Sequence, residues 1–255
     1  MVDIGASITI AASSPLLLKL LGPTADYLGD GLRSFTEKGA ANVRQILLHA
    51  IKRLGIRIEQ PGTIPPRVLY DVINAGGFCE DEFEKEYFGG VLASSRSPEG
   101  KDDRGAIFLG MVSRMSNWEI RTHYIFYTII RRLYSDKYDT FTPDLRRKMR
   151  TAIPMNDFLK VMGFDEYLLA RNQGVISQIM WGLNRESFLE RLSYDEELLI
   201  YSPTVMGSQL YLWALGEGGS HESKLLDPQV ILPEIENVLI PESYAPFESD
   251  WAYSG

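Results

Sequence analysis

The apolar residues of this chain recur every three or four positions in one segment after another, which commits most of it to helix. In "AANVRQILLHAIKRLG" the residues Val43, Ile46, Leu47, Ala50, Ile51 and Leu54 share one face, while Asn42, Gln45, His49, Lys52 and Arg53 share the other. Gly55 supplies a C-terminal stop. A helix over 40–54 is predicted, with His49 at the surface. The same spacing predicts helices over 80–93 (Phe83, Tyr87, Val91 and Leu92 inward) and 105–116, the latter with a stripe of Ile107, Phe108, Met111, Val112 and Met115. A further helix over 118–134 should bury Trp118, Ile125, Ile129 and Leu133. It would leave Arg121, Tyr124, Thr128 and Arg132 as a second stripe facing solvent or a partner.

Beyond Thr142-Pro143, "TPDLRRKMRTAIP" reads as a short basic helix, and "NDFLKVMGFDEYLLARNQGVISQIMWGLN" as two or three short helices. "ERLSYDEELLIYS" reads as two strands around a polar turn, and "PTVMGSQLYLWALGEG" as a helix with Thr204 at its N-cap. The fold expected is therefore mainly α. It comprises a helical N-terminal bundle (1–155), a winged-helix-like module with a small β-hairpin near 189–201 (156–216), and an extended acidic C-terminal tail (217–255). No central sheet of four or more strands is expected.

Charge is distributed unevenly. The chain has 255 residues and a formal net charge of −8, but residues 217–255 carry eight acids against the single base Lys224. The rest is nearly neutral, so acidity is a property of the tail. Its prolines at 228, 233, 241 and 246 and its apolar residues Val230, Ile231, Leu232, Ile235, Leu239 and Ile240 predict an ordered segment over about 225–248. Docked on the helical body, that segment would shield basic residues; the plainer alternative is that it only completes the core.

A lone cysteine, Cys79, excludes an internal disulfide and a cysteine metal cluster, and reads as a small buried thiol. His49, His123 and His221 lack ligand-spaced partners, so neither a metal nor a cofactor is expected. The apolar run from Ile4 to Leu18 is interrupted by Pro15 and preceded by Asp3, which argues against a spanning helix or a secretory signal. Membrane contact through residues 1–21 stays open as an alternative to a surface-packed leader. The expected compartment is the cytoplasm.

Two sets of residues are candidates for function. "EYFGGVLASSRSPEGKDDRG" is preceded by a helix and places Asp-Asp after Lys101, which does not suit a phosphate loop. It reads as an inter-helix connector, with Gly89-Gly90 serving close packing and Asp102 or Asp103 capping the next helix. Catalysis through Asp102, Asp103, Arg104 and His123 would require folding to gather them in one cleft. The second set is the basic stripe Arg121, Arg131, Arg132, Arg146, Arg147, Lys148 and Arg150, which fits a partner-binding surface or a solvated face. The module over 156–216 has four bases against eight acids, which favours protein over nucleic acid as its partner.

Three stretches, "LLGPTADYLGDGLRSFTEKGAANV" at 20–43, "EYFGGVLASS" at 86–95 and "DDRGAIFLGMVSRMSNWEIRTHYIFY" at 102–127, resemble the bacterial abortive-infection alpha (Abi-alpha) family. "YSPTVMGSQLYLWALG" at 201–216 is similar more weakly. The resemblance implies a part in phage defence and supplies no catalytic residues. The expected function is a non-enzymatic antiphage component acting through another protein. A nucleic-acid-binding regulator and a membrane-acting toxin are the alternatives.

Overall fold

The computed structural model describes residues 15–25, 36–137, 140–172, 174–236 and 238–247. The chain is mainly helical and divides into two compact units. The first comprises Met1–Asn117, Leu212–Ser220 and Leu232–Ile235; the second comprises Trp118–Tyr211, His221–Ile231 and Glu236–Gly255. These limits differ from the expected boundaries after 155 and 216. The long helix over 117–134 follows the N-terminal helices in sequence, but its aromatic side chains pack with later elements.

In the first unit, helices α1 (Pro15–Leu21), α2 (Glu37–Leu54), α3 (Pro66–Gly76), α4 (Glu82–Ser94) and α5 (Gly105–Val112) follow one another. α2 starts at Thr36, whose hydroxyl accepts from Gly39 N–H, and buries Val43, Ile46, Leu47, Ala50 and Leu54 against α4. Gly89 of α4 makes that approach feasible, and Gly90 does the same for the last turn of the helix that ends at Ala214. A Cβ on Gly89 would lie 2.5 Å from His49 Cβ, and one on Gly90 would lie 1.7 Å from Ala214 O. His49, expected at the surface, is half-buried and pairs with Glu82 at 2.7 Å. Arg53 and Glu86 form a buried ion pair at 2.7 Å, with Arg53 also donating to Pro233 O. Arg96 donates to the carbonyls of Lys19, Ile58 and Gln60, tying the end of α1 to the turn after α2. Cys79 is buried, and burial pushes its thiol pKa upward.

The second unit is built on α6 (Asn117–Tyr134), followed by α7 (Pro143–Lys148), β1 (Thr151–Pro154), α8 (Met155–Met162), α9 (Glu166–Arg171), α10 (Val175–Arg185), β2 (Leu189–Tyr194), β3 (Leu198–Pro203) and α11 (Val205–Ala214). The last turn of α11 belongs to the first unit. β1 pairs antiparallel with β3 in the register Thr151↔Tyr201, and β2 pairs antiparallel with β3 around a turn that Asp195 closes by accepting from Glu197 N–H and Leu198 N–H. A fourth strand, β4 (Ala245–Pro246), completes the order β2-β3-β1-β4. Where only a hairpin near 189–201 and no sheet of four or more strands was expected, that hairpin is part of a small four-stranded antiparallel sheet. The two additional strands are short and hold prolines, and β1 lies within what reads as the end of a basic helix.

Other local differences have physical causes. α5 stops at Val112, where Arg114 N–H and Met115 N–H turn to carbonyls three residues back. α6 is buried nearly all round. Tyr124 stacks on Tyr211 and Thr128 shares a 3.1 Å hydrogen bond with the Tyr211 hydroxyl, so no Tyr124–Thr128 stripe faces outward. Leu133 is only half-buried, and Trp118 is 36% exposed. Thr204 caps α11 as expected, accepting from Gly207 N–H.

Past the 3-10 turn Glu222–Leu226 the described tail carries no helix. In the second unit, Arg131 reaches across it, donating to Leu225 O at 2.8 Å, to Asp227 O at 3.3 Å and to Val230 O. Phe247 N–H donates to Arg150 O, and the Arg150 guanidinium lies 4.6 Å from the Phe247 ring centre. Leu232 and Ile235 are buried in the first unit, while Ile231 and Leu239 are exposed. Glu248 and Asp250 lie outside the described residues, as do 1–14 of the expected membrane-contact segment and 26–35 of the first resembling stretch. The remainder of that leader is α1, which buries Leu17, Leu20 and Leu21. Among the described residues no helix is long and apolar enough to cross a membrane.

Candidate functional site

The polar set around residue 102 is held by ion pairs of its own. Asp102 accepts from the Arg104 side chain at 2.6 Å and from Arg104 N–H, and these bonds hold its carboxyl below the usual carboxylate range. Asp103 pairs with Arg67 at 3.2 Å. Neither carboxylate caps α5, whose N-cap is Arg104 with no side-chain capping bond. His123 belongs to the other unit and is fully buried, its ring against Tyr127 and Phe188 and its Nε2 3.0 Å from Gly207 O. Burial lowers its pKa to about 3, so at neutral pH it is a neutral imidazole donating to that carbonyl. No described group of His, Cys, Asp and Glu side chains could hold a metal.

The residues of the basic stripe have separate engagements. Arg131 holds the tail carbonyls. Arg146 approaches Glu190 at 3.7 Å and the Phe141 ring, while Arg147 pairs with Asp144 at 3.1 Å. Arg150 stacks on Phe247. Lys148 and Arg132 are exposed, and Arg121 is half-buried. Within the second unit, structural contacts thus occupy much of the charge expected to form one surface.

The second unit also presents a different surface. α10 has an amphipathic pattern: Val175, Ile179, Met180, Gly182 and Leu183 are buried, and Gln178, Trp181 and Arg185 are exposed along the opposite stripe. Gly182 fixes which way the helix faces, because a Cβ there would lie 1.4 Å from a buried Glu119 Oε1. Trp181 is 63% exposed, with the Arg185 guanidinium 5.1 Å from its ring centre. α9, capped by Asp165, repeats the arrangement: Tyr167 is 69% exposed and Arg171 lies over it at 5.5 Å. At the start of α6, Trp118 packs edge-on against Phe164 at 5.4 Å. Trp118, Ala170, Arg171, Asn172, Val175 and Gln178 line a cleft of about 400 Å³.

A depression of about 420 Å³ in the first unit, beside the start of α2, is walled by Lys38 and Glu80, but these two pair with each other at 2.5 Å. Among the described residues, none that lines the α9–α10 cleft carries a carboxylate. Reading the sequence for charge alone passes over this face. Its signal is an aromatic residue followed four positions later by arginine, once in "YLLAR" and again in "WGLNR".

No family model, curated protein or solved structure matches the chain.

Proposed function

We propose that this protein is a non-enzymatic, cytoplasmic component of bacterial antiphage defence of the abortive-infection type, and that it acts by binding another protein through its second unit. The observation that supports binding is the α9–α10 face, where Trp118, Tyr167, Trp181, Arg171 and Arg185 stand at or near the surface. Trp, Tyr and Arg are the residues on which protein interfaces concentrate their binding energy. The defence reading rests on the resemblance of the 20–43, 86–95 and 102–127 stretches.

Nucleic acid is the alternative partner, and one observation favours it. A strand, a run of helices ending in α10 and then a hairpin, with β3 between β1 and β2, is compatible with a winged-helix-like module, although three helices rather than two separate β1 from β2. The charge opposes it: the tip of the would-be wing is Asp195, Glu196 and Glu197, all exposed, where phosphate contact calls for bases. A winged-helix-like module used for protein contact accommodates both observations.

A plating assay tests the reading. Cells expressing the chain should plate phage less efficiently than cells without it, and a folded Trp181→Ala/Arg171→Ala variant should restore plating. Equal plating with and without the wild-type chain would contradict the defence role. Tight oligonucleotide binding that weakens steeply with salt would contradict protein contact.

A further inference from the structure

The cleft beside α10 has a wall chemistry that selects among partners. We infer that it receives a carboxylate from an acidic segment of a partner protein, while an apolar residue of the same segment lies on Trp181. This inference rests on the protein-contact reading proposed above. The described residues that line it include Arg171, Asn172 and Gln178, and no acid is among them. Arg171 lies over the Tyr167 ring and donates one N–H to its hydroxyl. Asn172 donates one amide hydrogen to Leu168 O. A guanidinium carries five N–H donors, so one spent on the Tyr167 hydroxyl leaves others for the fork that binds a carboxylate. Gln178, Trp181 and Arg185 follow at i, i+3 and i+7, so an exposed indole and a second arginine beside it stand on the same helical stripe as Gln178 of the cleft.

Charge favours a peptide carboxylate over a phosphate backbone. Arg171 and Arg185 complement one or two acids at close range, and Glu186 already holds Arg185 Nε at 3.2 Å. A polyanion crossing the same unit would meet the acidic hairpin tip at 195–197. A short segment with one acid near one apolar residue meets only the face that suits it.

Panning a random dodecapeptide display library on the immobilised full chain tests the inference. Enriched peptides should carry Asp or Glu within a few residues of an aromatic or aliphatic side chain. Arg171→Glu and Trp181→Ala should each weaken them about tenfold or more with unchanged thermal melts, as should replacing the peptide acid by its amide. Peptides without an acid, or no enrichment, would overturn the inference. Enriched peptides that bind both variants as well as wild type would remove this site but leave the protein-contact reading intact. Oligo(dT) binding that falls steeply with salt and is lost in Arg171→Glu, without peptide enrichment, would remove both.

Discussion

Helices α6 and α10 belong to the same unit and draw on the same residue types, aromatics and arginines, but use them in opposite ways. In α6, Tyr124, Phe126 and Tyr127 are buried, the Tyr127 hydroxyl donates to Phe188 O at 2.7 Å, and Arg131 fastens the tail through backbone carbonyls. In α10, Trp181 projects from the surface with Arg185 stacked on it. Composition does not separate a structural helix from a recognition helix. The distinction lies in whether each polar group meets a partner inside the unit, so substitutions in α6 should change stability and substitutions on the open face of α10 should change binding.

The largest test of that contrast is Arg131→Ala. Charge-assisted bonds contribute about 1.5–3 kcal/mol each when a partner is left unsatisfied, with strong non-additivity. Urea denaturation should show a loss of about 2–4 kcal/mol, together with faster proteolysis within 224–230. If stability is unchanged, the tail is not held by α6.

His123 supplies a pH test with a definite sign. Its folded pKa, about 3, lies below the ordinary 6.5, so only the unfolded chain takes up a proton as the solution is acidified. The stability linked to this group is present above pH 6.5 and is lost progressively toward pH 3, by about 1.4 kcal/mol per pH unit. Between pH 7 and pH 5 the wild type should lose about 2 kcal/mol through this residue. His123→Gln should flatten the pH dependence. An equally steep profile in the variant would place the titration elsewhere.

Gly182 and Trp181 are neighbours on opposite faces of α10, which sharpens the comparison to a single peptide bond. Gly182→Ala drives a methyl group into the Glu119 side chain and should cost about 1–2 kcal/mol in thermal or urea melts. Trp181→Ala should change stability by only about 0.5 kcal/mol, as surface substitutions do.

The residues where sequence and structure agree show what periodicity can convey. Helices α2, α4 and α6 are legible because long apolar stripes dominate their local signal. The Gly89-Gly90 pair was legible as a packing device, and its clash distances with His49 and Ala214 give the physical reason. β1 was not legible, since four residues ending in proline form a strand only when β3 and β4 supply their hydrogen bonds from far along the chain. The destination of Arg131 was equally hidden: an arginine on a helix looks alike whether it meets solvent or carbonyls some ninety residues away. The α9–α10 face was written in the sequence as two aromatic–arginine pairs, but charge counting averaged them with the acids of the hairpin.

Indole N–H spectra of the full chain, recorded while a peptide selected on it is added, test the central claim most directly. Trp118 and Trp181 belong to the proposed surface, whereas Trp213 is buried and stacked against Phe108. The account predicts that the Trp118 and Trp181 resonances shift together in proportion to bound peptide while Trp213 stays in place. Saturable binding that moves Trp213, or leaves Trp118 and Trp181 unmoved, would contradict it.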